Sequence, residues 1–278
     1  MRMRIRTVRT VAAYELKINV RNKWTLLFAF VFAALAVAIS YFGLVTEAVV
    51  GFQGFTRTTA SLLNLALYLI PMIALAMGAL SFTGEKGASE LLFSQPVMRG
   101  EILAGKLAGL FLSLAAATLL GFGAAGLLIA VQVGIDGLAR YLAFVGFALL
   151  LAAAFLSLGA MTAILAGGRA KGLGFALFVW FVFVLFFDLL VMGVAFLLPE
   201  HAANQFIFLS LFANPVDLGR VGSLIAMGDP AVFGYAGAAL VKFLGGAALA
   251  NVALIGGLLI WIAAPLAISG RVLGRQDI

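Results

Sequence analysis

Six apolar runs divide the chain, at roughly 24–45, 60–82, 107–131, 141–166, 173–198 and 248–268. About 20 apolar residues in a helix cross a hydrocarbon core of about 30 Å, so each run predicts a membrane-spanning helix. Basic segments at 1–23 and 269–278 flank the runs, polar ones at 83–106 and 167–172 separate some of them, and a long, not very polar one fills 199–247. In the first, Val8, Val11, Ala12 and Leu16 recur at helical spacing among basic residues, which predicts an amphipathic helix on the membrane surface. The alternative is a frayed basic tail that only fixes orientation. The segment 199–247 is too long to be structureless in a compact fold. It contains FIFLSLF at 206–212, then Asn214-Pro215, then LVKFLGG at 240–246, with Asp217, Arg220 and Asp229 interrupting any extension into a seventh span. Short helices that dip into the outer leaflet or pack across the outer mouth are expected there. The pattern predicts an all-α integral membrane protein with six transmembrane helices, one domain over 24–268, and no internal repeat.

Composition supports burial in lipid. The chain of 278 residues is 64% hydrophobic and 10% charged, with a mean hydropathy of +1.18. A soluble domain of this length could not hide so much apolar side chain. Its net charge of +7 would suit a nucleic-acid partner, but the distribution excludes one. Seven bases precede residue 24, three lie in 83–106, two in 167–172 and two in the tail, fourteen on one side of the six spans. Arg57, Arg140, Arg220 and Lys242 are the four on the other. The positive-inside rule then places both termini in the cytoplasm. No cysteine is present, so disulfides and thiolate metal sites are excluded. The basic start is followed by an apolar run too long, and lacking a small-residue cleavage site, for a cleaved signal peptide.

Candidate chemistry is sparse. Gly100 to Lys106 matches GxxxxGK, but a phosphate loop needs Ser or Thr next, a strand before and a helix after. Here Leu107 follows and a polar loop precedes, so no ATP site is expected. Gly121, Gly123 and Gly126 form GxGxxG inside an apolar run, where glycines serve close helix packing rather than a dinucleotide. Asp188 stands alone near the middle of the fifth run. A charge there costs about 2.5–3.5 kcal/mol on insertion scales. Two readings stay open for it: lining a translocation path or pairing with a base in a dimer, or simple hydration nearer the interface. Glu200 and His201 follow Pro199 as an exposed helix-end pair without metal-ligand partners nearby.

The polar stretch Gly84 to Lys106, GEKGASELLFSQPVMRGEILAGK, carries three acids and three bases between two spans. Gly87 can end the second span and open a short helix through Ala88–Ser94. Glu85 and Glu90 lie near its positive end, and Pro96 stops it. Physics alone leaves this either a charged helix parallel to the membrane that transmits a push, or an ordinary solvated loop.

The order of an acidic-basic pair, glycine, a leucine-rich turn, Pro, Arg and Gly-Lys in that stretch resembles type-2 ABC transporter permeases. Asn214, Pro215, Val216 and Asp217, with Arg220 after, are similar to the outer loop of that family. The resemblance implies a homodimer of six-helix permeases, each docked on a separate cytoplasmic ATPase that holds ATP and magnesium, with no cofactor on this chain. Glu85, Lys86, Gly87, Glu90, Pro96, Arg99, Glu101 and Lys106 would form the ATPase-coupling surface. Asp188 would line the path, and Asn214, Pro215, Asp217 and Arg220 would meet a periplasmic partner. Ala88 and Met98 replace Thr or Ser found in many of these permeases; a lost helix cap costs about 1 kcal/mol, which would loosen the loop's edges. The SQPVMRGEI and NPVD forms look like permeases serving nitrous oxide reductase maturation. That implies export of a sulfur species across the bacterial cytoplasmic membrane for a copper–sulfur centre. Copper fits less well, since no cysteine or histidine cluster awaits a soft cation. Another exported substrate, or a passive scaffold, are the alternatives.

Overall fold

A computed structural model describes residues 4–50, 54–83, 98–228 and 234–275; within them the chain is helical, with no strand. In chain order the helices are α1 (Ile5–Val20), α2 (Lys23–Val50), α3 (Gly54–Phe82), α4 (Arg99–Val133) and α5 (Leu138–Ala166). Then come α6 (Arg169–Phe181), one wide π turn over Val182–Phe186, α7 (Phe187–Leu197), α8 (Glu200–Ala213), α9 (Pro215–Met227), α10 (Gly234–Leu244) and α11 (Ala247–Arg275). Among the described residues six stretches are long and apolar enough to cross a membrane: Lys23–Val45, Ser61–Phe82, Arg99–Gln132, Leu138–Ala166, Arg169–Leu197 and Ala247–Arg275. They match the six expected spans in number and order. The third starts earlier than the apolar pattern suggests, because Glu101 and Lys106 find partners on neighbouring helices and need no loop to reach water.

The bundle is organised around α5, whose apolar window is 67% buried, whereas the fifth span is only 11% buried and presents most of its surface outward. Glycine sets the close crossing of α3 and α5. A Cβ on Gly78 of α3 would lie 2.6 Å from the carbonyl oxygen of Leu156, and one on Gly159 of α5 would lie 2.5 Å from that of Leu75. The two backbones therefore touch through reciprocal glycines, the packing that lipid favours where no hydrophobic drive separates helix from solvent. The aromatic rings of Phe32, Phe122 and Phe144 run edge to face across α2, α4 and α5, with centroids 5.0 Å apart at each step. Of the three glycines in GxGxxG, Gly121 packs on Phe32 and Gly126 on Tyr141, while Gly123 faces open space.

The segment after the fifth span turns back into the bundle. Asn214, at the apex between α8 and α9, donates to the carbonyl of Phe183, the central residue of the fifth span. Trp261, the central residue of α11, donates to the carbonyl of Phe212 just before that apex. The Phe183 ring also meets Trp261 edge to face at 5.2 Å and lies 6.3 Å from Phe155. The α8–α9 hairpin thus reaches the mid-depth of the helices that enclose it, deeper than an outer-leaflet dip. Irregular backbone is tolerated at that depth only where protein covers it. Here the Asn214 side chain does so, accepting from the amide of Val216 and placing Pro215 at the first helical position of α9.

The Val8, Val11, Ala12 and Leu16 stripe of α1 does not face lipid as expected. It lies on α4, where a Cβ on Gly105 would come 2.6 Å from Val11 Cβ, and one on Gly109 would come 2.5 Å from the carbonyl of Ala12. Gly109→Leu should release α1 from α4 and cost about 1–3 kcal/mol through overpacking, measured as thermal stability and protease access to α1 in detergent. Gly100→Leu, where nothing lies within 4 Å of the added Cβ, is the neutral control.

Candidate functional site

At the end of the bundle that carries both termini, buried polar groups join four helices. Glu15 of α1 is buried, accepts from Ser81 Oγ of α3 at 2.8 Å and holds Asn19 one turn along at 3.2 Å. Lys106 of α4 donates to the Ser81 carbonyl at 2.7 Å, and its ammonium lies 5.2 Å from the Phe82 ring centroid. Acid and base therefore meet on one serine. Glu101, also buried, accepts from the backbone amide of Arg4 and, at 3.4 Å, from that of Met98. Arg99 donates to the carbonyl of Leu273 near the end of α11.

Met98 supplies no side-chain cap, as its replacement of Ser or Thr implies, while Glu101 reaches back to the Met98 amide, the reciprocal half of a capping box. Of the coupling residues named from sequence, Arg99, Glu101 and Lys106 are brought together with α1, α3 and α11. Glu85, Lys86, Gly87, Glu90 and Pro96 lie outside the described residues, as does Ala88. Sequence reasoning missed Glu15 and Ser81. Glu15 had a signal: it is the sole acid in the first 46 residues, and it falls on the apolar stripe of α1.

A second polar cluster stands beside the π turn. Arg220 of α9 donates to Asp188 at 2.8 Å and to Asp217 at 3.1 Å, and Asn214 donates to the other Asp217 oxygen at 2.9 Å. Asp188, expected either to line a path or pair with a base in a dimer or to be simply hydrated nearer the interface, is thus paired within its own chain. The hairpin that reads as an outer loop supplies the base. Asn214 and Pro215 are buried and the Asp217 side chain is only 15% exposed, so within this chain the residues expected to meet a partner form a seam between α9 and the fifth span, with Arg220 the most exposed of them. Exposure belongs to the ion pair itself, 47% for Asp188 on the outward-facing fifth span and 31% for Arg220 on α9. Glu200 and His201 sit at the start of α8, with Gln205 3.2 Å from the imidazole.

The described residues form a helical bundle with six candidate spans, a polar joint at its terminal-bearing end and a hairpin packed into it before the last span. The model of the ABC-2 family transporter proteins matches residues 9–278, and the chain belongs to that family. It is similar to the probable ABC transporter permease protein NosY of Pseudomonas aeruginosa, 38% identical over 221 residues that cover 77% of this chain and 80% of that protein. The protein of the same name from Stutzerimonas stutzeri is 36% identical over 220 residues, with the same coverage. The chain is thus an ABC transporter permease of the NosY-like kind.

Arg220→Ala leaves Asp188 and Asp217 facing each other without a cation. Fully buried pairs cost about 3–5 kcal/mol to break and exposed ones about 0–1, so this part-exposed cluster is expected to cost about 1–3 kcal/mol. The expected result in detergent is a markedly lower melting temperature, partly restored by adding Asp188→Asn. Unchanged melting of Arg220→Ala would show the pair to be fully hydrated.

Proposed function

We propose that the chain is the membrane-spanning subunit of an exporter in the bacterial cytoplasmic membrane. It works as a homodimer, with both termini inside and each copy docked on a separate cytoplasmic ATPase, NosF-like, that binds ATP and magnesium. The cargo is a sulfur species delivered outward, to a NosD-like periplasmic partner, for the copper–sulfur centre of nitrous oxide reductase. The similarity to two permeases named NosY supports the cargo and partners. The fourteen-to-four distribution of bases supports the orientation.

The observation that carries the coupling reading is the polar joint. The stretch 84–97 runs between α3 and α4, whose ends are tied to each other and to α1 through Ser81, Lys106 and Glu15, and to α11 through Arg99. A push on that stretch from a closing ATPase pair reaches four helices at once. Glu85, Lys86, Gly87, Glu90 and Pro96 form the pushed surface; Arg99, Glu101 and Lys106 pass the displacement into the bundle.

The exposed Asp188–Arg220 pair supports a water-lined path between two copies. An ion pair about five residues from the centre of a span would be costly against lipid, whereas a second copy or a water-filled cleft satisfies it. Rocking of two bundles about the weakly buried fifth span would then expose the cleft to either side in turn.

Reconstitution with the ATPase tests this. Arg99→Glu replaces a donor to the Leu273 carbonyl with a second acceptor, and transport per ATP hydrolysed should fall tenfold or more while membrane insertion is retained. Transport at the level of the parent chain would sink the coupling reading. ATP turnover unlinked to any movement of sulfide or polysulfide in the parent complex would favour a scaffold.

A further inference from the structure

An apolar groove of about 510 Å³ lies between α4, α5 and α11, reaching the Arg99 side of the polar joint at one end. Its α4 wall runs from Gly100 through Ala104 and Leu107 to Phe111. At 1.5 Å per residue that wall is about 16 Å long, close to the half-thickness of a hydrocarbon core of about 30 Å. The depth agrees from the other walls. Ala153 and Ile262 each lie within one residue of the centre of their span, and the α11 wall then descends to Gly270, toward the end that carries both termini. The groove therefore begins at mid-membrane and leaves the bundle at one interface.

Its reach from mid-membrane to one interface and its almost wholly apolar lining suit one flexible hydrocarbon chain of the adjoining leaflet. The mouth is cationic. Arg271 follows Ala267 by one helical turn on the same face of α11, and Arg275 follows Arg271 by another; both are exposed. Arg99 closes the lower end by its bond to the Leu273 carbonyl.

We propose that this groove is a binding site for one acyl chain of an anionic phospholipid from the adjoining leaflet, with the phosphate headgroup held by Arg271. The apolar walls take the chain by removing it from the disordered tails, and the guanidinium gives two directed donors to phosphate oxygens. Because the walls belong to α4, α5 and α11, a seated chain braces the helices that Arg99 joins at their ends. The site does not depend on the cargo or on the ATPase.

The full chain can be tested in vesicles of phosphatidylcholine and phosphatidylglycerol carrying a trace of phosphatidylglycerol with a diazirine at the end of one acyl chain. Cross-links should concentrate on the groove walls of α4 and α11, at least fivefold over the equally apolar outward face of the fifth span. Ala104→Phe, which fills the groove, should abolish that enrichment. Arg271→Gln should remove the preference for phosphatidylglycerol over a diazirine-labelled phosphatidylcholine and leave chain insertion itself intact. Should Ala104→Phe fail to fold, Ala104→Cys in this cysteine-free chain can be purified and then blocked with a bulky maleimide, with the same expected loss. Labelling spread evenly over the lipid-facing helices, or enrichment that persists in the filled groove, would overturn the proposal. So would a disulfide-linked dimer through Ala104→Cys, which would make the occupant a second copy.

Discussion

Ser81 is the point on which the terminal-bearing end of this bundle depends. Its hydroxyl is held by the carboxylate of Glu15 and its carbonyl by the ammonium of Lys106, so one small residue ties α1, α3 and α4 together. An acid, a base and a serine placed at the edge of an apolar bundle are expensive unless each meets a partner, because water is not there to replace one. That constraint explains why α1 packs on α4 rather than drifting in the headgroups. Its helical spacing brings Glu15 to the contact only when Gly105 and Gly109 admit the α1 backbone. Glu101 and Arg99 extend the joint to Arg4 and Leu273, and the ends of four helices become one piece.

The half away from the termini solves a different problem. Between the fifth and sixth spans the chain returns to mid-membrane as a hairpin, and its polar turn has to be sealed. Asn214 seals it by bonding Phe183, Val216 and Asp217 together, and Arg220 one turn later compensates Asp188 and Asp217. The π turn at Val182–Phe186 lies where these bonds are made. Wide turns of this sort leave backbone groups open to side chains from outside the helix, and the Phe183 carbonyl is used in that way. The cluster is rigid on its buried side and exposed on the other. A path or an interface between copies would use that exposed side.

The spans and their order were legible in the sequence, because 20-residue apolar runs have few alternatives to crossing a bilayer. The family was legible from the motif between the second and third spans. The depth of the α8–α9 hairpin was not, since FIFLSLF is too short to span and reads equally as a surface helix. What places it is a set of contacts with Phe183 and Trp261, more than twenty-five residues away in either direction. The same distance hid the pairing of Asp188 with Arg220: the charges are 32 positions apart and join only after the chain reverses twice. Glu15 was hidden by its company, one acid among seven bases, where the apolar stripe was read as facing lipid. Long-range polar pairing, rather than local periodicity, is what the pattern of residues left open.

A joint that moves as one piece can be measured directly. With spin labels at Arg9 on α1 and Arg271 on α11 in the reconstituted complex, the distance between them within one copy should stay constant within about 2 Å through the ATP cycle. Labels at Phe196 on the outward face of α7 should meanwhile change their separation between copies. A within-copy distance that shifts as far as the one between copies would contradict the idea that Ser81, Glu15, Lys106 and Arg99 bind the four helix ends into a single coupling element.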